Sequence, residues 1–218
     1  MSDTSPAELQ TRLDFALAAA AQAGDFIMSR FQQAGLVVDR KRDASPVTEA
    51  DRGAEQLLQK LIADLYPDDS VLGEETGETT GSSGWRWILD PIDGTKSFIH
   101  GVPLFGTLIG VEHDDTVLIG VCRIPALNEV VSAARGLGAF WKTGDAAPRP
   151  ARVSEVSTLE DATFCTTTIE GWTRYGHQAV FERLCSRAGL SRGWGDCYGH
   201  MLVATGRADL MVDPHLSP

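Results

Sequence analysis

The sequence has few cysteines and no long apolar run. Its four cysteines show no C-x-x-C spacing, which argues against a zinc site or a disulfide framework and favours reduced thiols in the cytoplasm. No apolar run approaches the roughly 20 residues of a membrane helix. The N-terminal residues lack the basic region and apolar core of a secretory signal. We therefore predict a cytoplasmic protein that has no membrane partner.

Basic residues are also scarce relative to acidic ones. The chain of 218 residues carries 19 Lys and Arg against 30 Asp and Glu, a formal net charge of −11. This balance argues against nucleic acid as a partner. The length and the 43% hydrophobic content suit one large domain or two closely associated subdomains.

The spacing of apolar residues predicts both helices and strands. We predict that the chain forms two halves, 1–145 and 146–218. Helices are predicted over 7–34, 51–65, 176–188 and 198–205, with Thr48 as the cap of the second. Strands are predicted over 85–90, 104–112, 116–122, 129–134, 162–167 and 209–213. The Gly-, Ser- and Thr-rich segment 76–84 is predicted to be a flexible loop, and the stretch 39–43 a charged one. The predicted fold class is α/β, or mixed α+β, in layers.

The most informative motif is the hexapeptide from Asp90 to Thr95, which reads Asp-Pro-Ile-Asp-Gly-Thr. It follows the apolar run 85–89, which is typical of a buried strand, and its Gly-Thr can begin a helix. Two carboxylates beside a helix N-terminus suit a divalent cation and a phosphate together. The alternative is an ordinary turn, because Pro, Asp and Gly are turn residues.

Four further segments extend this pattern along the chain. They are Val47–Asp51, Val71–Glu75, Trp194–Tyr198 and Ala204–Asp209. In this order, the segments and the hexapeptide resemble the inositol-monophosphatase-like family of metal-dependent phosphatases, from about Leu13 to Asp213. The resemblance implies a layered α-β-α-β-α sandwich whose first half binds metal and phosphate and whose second half contacts the substrate. It also implies a small phosphorylated substrate, two or three Mg²⁺ ions with Mn²⁺ as an alternative, and a homodimer.

The resemblance also assigns the residues of the metal site. Glu74, Asp90 and the carbonyl of Ile92 would bind a first metal, and Asp90 and Asp93 a second. Asp51 would help to hold a third through water. From the residues alone, Asp51 could instead lie on a solvated helix face.

The same family pattern assigns a water and a phosphate to the hexapeptide. Glu74 and Thr95 would position and activate the attacking water, and the N–H groups of Gly94 and Thr95 would bind the phosphate. Thr95 would also be an ordinary helix cap. Lys96 would contact the substrate, or be an exposed helix lysine.

Substrate choice depends on less specific features. The segment Gly195–Tyr198 and the continuation Lys96-Ser97-Phe98 resemble the histidinol-phosphate phosphatase branch of the family. Its substrate carries an ammonium and an imidazole, which Asp196 and Asp213 could face. Asp196 could instead cap the following helix. The alternatives are an inositol or other polyol phosphatase, a 3′-nucleotide (phosphoadenosine) phosphatase, and a metal-binding protein without turnover.

The C-terminus departs from the family pattern. After Asp213 the family continues to an aromatic-Asp pair that completes the second metal site, whereas this sequence stops at Pro218. The resemblance therefore implies a C-terminally truncated chain with one carboxylate and the last part of the second sheet missing. The alternative is a natural variant that takes this ligand from water or from a partner subunit.

Overall fold

A computed structural model of the chain describes residues 4–33, 35–40 and 46–215. The chain divides into two compact units, Met1–Pro150 and Ala151–Pro218. The predicted charged loop at 39–43 lies partly outside the described residues. No helix among the described ranges is both long and apolar enough to cross a membrane.

Among its described residues, the first unit contains three α-helices and ten strands. The helices are α1 (Pro6–Met28), α2 (Glu49–Leu65) and α3 (Thr95–Ile99). The strands are β1 (Val38–Arg40), β2 (Pro46–Thr48), β3 (Ser70–Gly73), β4 (Gly77–Thr79), β5 (Trp85–Asp93), β6 (Gly106–His113), β7 (Thr116–Ile124), β8 (Glu129–Ala134), β9 (Gly138–Thr143) and β10 (Arg149–Pro150). Strands β1 and β2 pair alone, and the other eight form one sheet in the order β10-β9-β8-β7-β6-β5-β3-β4. Within that sheet β3 and β5 are parallel, and the remaining pairs are antiparallel.

The two long helices cover this sheet because each has an apolar face. Alanines and leucines of α1 and the leucine and isoleucine positions of α2 pack on the central strands. Trp87, in the first half of β5, is fully buried among them. A smaller buried cluster includes Ile92 of the hexapeptide together with Phe98 and Phe105. Both parts of β5 that flank Asp90 are therefore anchored in buried apolar clusters.

The helix predicted over 7–34 is wrong at its C-terminal end, because α1 ends at Met28. There the Ser29 hydroxyl donates to the carbonyl of Phe26 at 2.6 Å, a local bond that competes with the helix. Gln32 then takes a left-handed conformation, with φ of 59°, which a helix cannot continue through. The segment predicted as a loop at 76–84 also differs, since β4 lies within it and pairs with β3.

The second unit is a small parallel α/β arrangement. Its helices are α4 (Ile169–Arg174), α5 (Gln178–Arg187) and α6 (Asp196–Ala204), and its strands are β11 (Thr163–Cys165), β12 (Leu190–Arg192) and β13 (Leu210–Met211). The strands are parallel in the order β12-β11-β13. Sequence patterning missed α4 and β12, which are short. The predicted mixed α/β class is confirmed.

Candidate active site

The sheet brings the first two predicted ligands to one edge. Strands β3 and β5 are parallel, with Gly73 opposite Leu89. The N–H of Glu74 donates to the carbonyl of Leu89 at 3.2 Å. Glu74 therefore directly follows the carboxyl end of β3, and Asp90 is the first residue of β5 beyond its pairing with β3. Ligands of α/β sheets commonly bind at the carboxyl ends of parallel strands.

A β-bulge places the two hexapeptide carboxylates on the same side of β5. Asp90 pairs with Leu108 and Asp93 with Gly106, so three steps on β5 oppose two on β6. Buried and less buried positions alternate up to Asp90; Pro91 and Ile92 are then both buried, and Asp93 is again less buried. A regular strand would send residues three apart to opposite faces, whereas the bulge shifts the alternation by one residue.

Two hydrogen bonds and one glycine fix the backbone around the bulge. The hydroxyl of Thr107 donates to the carbonyl of Pro91 at 2.9 Å. Gly94 caps α3 with φ of 87°, a left-handed conformation that strongly favours glycine. The hydroxyl of Thr95 donates back to the carbonyl of Ile92 at 3.1 Å. The chain therefore leaves β5 in a defined tight turn.

Asp51 is not on a solvated face, as one interpretation of the sequence allowed. It is 1% exposed, and its Oδ2 accepts hydrogen bonds from the N–H of Thr48 at 2.8 Å and the Thr48 hydroxyl at 2.6 Å. Thr48 caps α2, as predicted, and the two residues form a capping box. The other oxygen, Oδ1, lies 3.3 Å from the Thr95 hydroxyl. The structure thus brings Asp51 and Thr95 together from separate elements.

The pKa of Asp51 is affected by its burial and by the charge of Glu74. Burial is the main cause that raises the pKa of Asp51 above its ordinary value, and the negative charge of Glu74 raises it further, against the lowering effect of the Thr48 hydrogen bonds. A bound divalent cation would relieve this repulsion between carboxylates.

The raised pKa gives a prediction about stability and pH in metal-free protein. Between the ordinary carboxyl pKa and the raised one, the folded protein holds a proton that the unfolded chain has lost, so stability falls as pH rises. Asp51→Asn removes this titration, and its amide oxygen can still accept from Thr48. We expect the variant to melt at a higher temperature than the unchanged protein at pH 7 in chelator, with the difference shrinking as the pH falls toward the ordinary pKa.

Thermal melts from pH 3 to pH 8 in chelator would test this expectation. Asp14→Asn is the control, because Asp14 is an exposed acid on α1. A Tm difference for Asp51→Asn that does not change with pH would contradict the assigned cause.

One buried acid near the site was missed by sequence reasoning. Glu55 is fully buried on α2, one turn after Asp51, and its carboxylate accepts hydrogen bonds from the N–H groups of Glu75 and Thr76. The i, i+4 spacing from Asp51 places both acids on one helix face and was the available signal. Lys96, by contrast, is exposed on α3.

The two predicted substrate-contact acids lie in the second unit, where Thr167 connects them. The N–H of Asp196 donates to the Thr167 hydroxyl oxygen at 2.9 Å. Asp213 accepts from the Thr167 N–H at 2.8 Å and the Thr167 hydroxyl at 2.9 Å. Gly195, not Asp196, occupies the N-cap of α6, and no side chain caps that end. The alternative role of Asp196 as a helix cap is therefore wrong.

The predicted metal ligands are of the type that magnesium prefers, although their side chains do not form a cluster in the described part of the structure. Among the described residues, no group of three or more His, Cys, Asp or Glu side chains is arranged to hold a metal ion. Glu74, Asp90, Asp93 and the Ile92 carbonyl supply only oxygen atoms, and all come from the end of β3 or the bulge of β5. Such ligands suit Mg²⁺, which keeps several of its waters and needs few protein ligands.

Comparison with known proteins identifies the family. A sequence model of the inositol monophosphatase family matches residues 8–216. The chain is 45% identical over 206 residues to a histidinol-phosphatase of Chlorobaculum parvum, covering 94% of this chain and 78% of that protein. It is 39% identical over 205 residues to one of Mycobacterium tuberculosis, covering 94% and 79%.

A solved structure supports the same assignment. The extragenic suppressor protein SuhB of Bartonella henselae superposes with a TM-score of 0.82 at 29% identity, over 93% of this chain and 79% of that one. The names of the two sequence relatives agree with the predicted enzyme class, a phosphatase, which is thereby confirmed. The chain belongs to the inositol monophosphatase family.

Proposed function

We propose that this protein is a Mg²⁺-dependent phosphatase that hydrolyses L-histidinol phosphate to L-histidinol and phosphate, a step of histidine biosynthesis. The observation that carries the proposal is the similarity to histidinol-phosphatases along nearly the whole chain. The oxygen ligands at the ends of β3 and β5 supply the chemistry that a phosphate monoester requires.

Five residues would hold the metal ions. Glu74, Asp90 and the Ile92 carbonyl would bind one ion, Asp90 and Asp93 a second, and Asp51 a third through water. When bound, Mg²⁺ would neutralise the phosphoryl oxygens and lower the pKa of a bound water. The bulge supports this assignment because it turns Asp90 and Asp93 to the same side of the strand.

Thr95 and its neighbours would handle the water. The Thr95 hydroxyl lies between the Asp51 carboxylate and the Ile92 carbonyl, at 3.3 and 3.1 Å. With its proton directed to either oxygen, Thr95 Oγ1 presents a lone pair that can accept a hydrogen bond from the attacking water. Glu74 would accept a second one, and together they would orient the water for attack.

Phosphate and substrate would be bound by groups that follow the metal ligands. The N–H groups of Gly94 and Thr95 begin α3 and have no helical acceptor of their own, so they can donate to phosphate oxygens. Lys96, exposed on the same turn, would contact the substrate. Asp196 and Asp213 would face its cationic part. Asp196 lies at the start of α6, and Asp213 accepts hydrogen bonds from Thr167.

The cationic substrate gives a prediction about Asp196. Asp196→Asn is expected to raise KM for histidinol phosphate about tenfold or more and to affect a neutral phosphomonoester less, because a hydrogen bond to a charged group contributes about 1.5–3 kcal/mol. Steady-state kinetics on both substrates would measure this. Glu182→Gln, an exposed acid on α5, is the matched control. Equal losses on the two substrates would show that Asp196 is structural.

A substrate panel tests the proposal as a whole. Histidinol phosphate, inositol 1-phosphate and 3′-phosphoadenosine compounds would each be assayed with Mg²⁺, with Mn²⁺ and with excess chelator. We expect the highest kcat/KM on histidinol phosphate and none in chelator. Preference for inositol phosphate or the nucleotide would favour those alternatives, and absence of turnover on all three would favour a metal-binding protein.

Assembly and location complete the proposal. A homodimer is implied by the family resemblance, and light scattering after gel filtration would measure it. A cytoplasmic location is consistent with the four cysteines, none of which forms a disulfide within the described residues.

A further inference from the structure

We infer that Glu55 is a positioning residue for Glu74. Its buried carboxylate fixes the turn that presents Glu74 at the sheet edge. This inference rests on the proposed function, in which Glu74 binds metal and water.

The carboxylate of Glu55 holds the chain immediately after Glu74. Its Oε2 accepts from the N–H of Glu75 at 2.8 Å, and its Oε1 accepts from the N–H of Thr76 at 2.9 Å. Glu55 has no exposed surface, so these bonds are shielded from competing water and are stronger than they would be on the surface. Two successive backbone N–H groups are thereby tied to helix α2.

Side chains reinforce the same contact. The Thr76 hydroxyl donates to Glu55 Oε1 at 2.5 Å. Gln59, one turn further along α2, donates to Glu55 Oε1 at 3.3 Å and to the Thr76 hydroxyl oxygen at 2.5 Å. Both carboxylate oxygens of Glu55 are therefore used, which offsets the cost of burying the charge.

The chain immediately before Glu74 is matched to Glu55 as well. A Cβ at Gly73 would overlap the Glu55 carboxylate, so the absence of a side chain there lets β3 approach α2 closely. Glu74 is consequently bracketed: Gly73 lies against the carboxylate on one side, and Glu75 and Thr76 are hydrogen-bonded to it on the other. The backbone on both sides of Glu74 is fixed to α2.

The need to position Glu74 explains this arrangement better than the stability of the fold does. A buried acid is a costly way to join a helix to a turn, whereas a metal-binding carboxylate must be held within about 0.5 Å of its working position. Residues that orient metal ligands typically change metal affinity or activity about 10–100-fold when they are replaced. Glu55 would therefore act on Glu74 through the neighbouring backbone.

The test replaces Glu55 by Gln and measures metal binding directly. The amide keeps the shape of the side chain but cannot accept at both ends, so at least one N–H of the turn loses its partner. We expect Mg²⁺ affinity by calorimetry to weaken about tenfold, with a matching rise in the Mg²⁺ concentration needed for half-maximal activity and recovery of kcat at high Mg²⁺. Hydrogen exchange at Glu75 and Thr76 should accelerate.

Two further variants and a control keep the test decisive. Gly73→Ala leaves Glu55 in place but displaces its carboxylate, and it should give the same pattern. Thr76→Val removes the bonds of the Thr76 hydroxyl to Glu55 and Gln59 but keeps the backbone bond to Glu55. It should weaken Mg²⁺ affinity by about two- to fivefold, and it decides the question if Glu55→Gln does not fold. Glu78→Gln, an exposed acid on β4, should leave Mg²⁺ affinity unchanged.

The outcomes separate this inference from the proposed function. Unchanged Mg²⁺ affinity in the Glu55 and Thr76 variants, with only a lower Tm, would show that Glu55 is structural and would overturn the inference alone. Absence of Mg²⁺ binding and of phosphatase activity in the unchanged protein would overturn the proposed function, and the role of Glu55 with it.

Discussion

Replacing Asp93 by Asn is expected to lower kcat/KM on a phosphomonoester by about 100-fold or more while leaving the melting temperature of the metal-free protein nearly unchanged. Asp93 lies beyond the bulge of β5, on the same side as Asp90 and paired through its backbone with Gly106. Asparagine has the same size and keeps the backbone pairing. It removes the negative charge that would bind the second cation and, through it, stabilise charge on the transferring phosphate.

Calorimetric titration with Mg²⁺, followed by kinetics at several Mg²⁺ concentrations, would measure the effect. The matched control is Asp115→Asn in the β6–β7 hairpin, where φ of 60° is a conformation that asparagine adopts readily. We expect the control to retain activity and metal affinity. Full activity of the unchanged protein in excess chelator, or unaltered Mg²⁺ affinity in Asp93→Asn, would contradict the metal assignment.

The sequence was sufficient to predict some of the elements that carry the site, although not β3, which precedes Glu74. The apolar run before Asp90 predicts a buried strand, and β5 confirms it with the fully buried Trp87 in its first half. Thr48 as the cap of α2 is also confirmed, because a capping box involves only residues three apart. Such features depend on short stretches of chain, which is why local patterns could reveal them.

The relations between elements could not be predicted in this way. That Asp90 and Asp93 share one face depends on the register of β5 against β6, which no pattern within the hexapeptide specifies. Glu55 is bonded to backbone groups about twenty positions away along the chain, and its sequence neighbourhood reads as an ordinary amphipathic helix. Asp51 was open to a solvated interpretation for the same reason, because burial depends on what packs against the helix.

A second large effect is expected at a buried ion pair that includes none of the candidate site residues. Asp69→Asn should lower the free energy of unfolding by about 3–5 kcal/mol, because it leaves the buried charge of Arg12 without its buried partner. Arg12 Nη1 and Asp69 Oδ2 are 2.6 Å apart, with side chains 8% and 3% exposed. Asp69 also accepts from the indole N–H of Trp87 at 2.8 Å and the Ser83 hydroxyl at 2.6 Å. One amide oxygen cannot replace all of these bonds.

The surroundings of Arg12 can repair the loss only in part. Glu8 Oε1 lies 3.7 Å from Arg12 Nε, but its side chain is 44% exposed. The guanidinium carbon lies 3.9 Å from the ring centroid of Trp85 and 4.4 Å from that of Tyr66. The faces of these rings attract the cation but do not replace the buried carboxylate of Asp69. The pair therefore ties α1 to β5 and to the segment that precedes β3. A change here should spread through the packed face of the sheet.

The lost stability and the coupling between the two residues would be measured by denaturant unfolding. The proteins compared are the unchanged protein, Asp69→Asn, Arg12→Met and the double variant. We expect the double variant to be clearly more stable than the sum of the single losses predicts, because it leaves no unpaired buried charge. Asp39→Asn is the control, since Asp39 pairs with Arg52 at 2.8 Å but both side chains are about half exposed, and its loss should cost at most about 1 kcal/mol. A similar small cost for Asp69→Asn would mean that water reaches the guanidinium of Arg12 and that the pair does not hold α1 against the sheet.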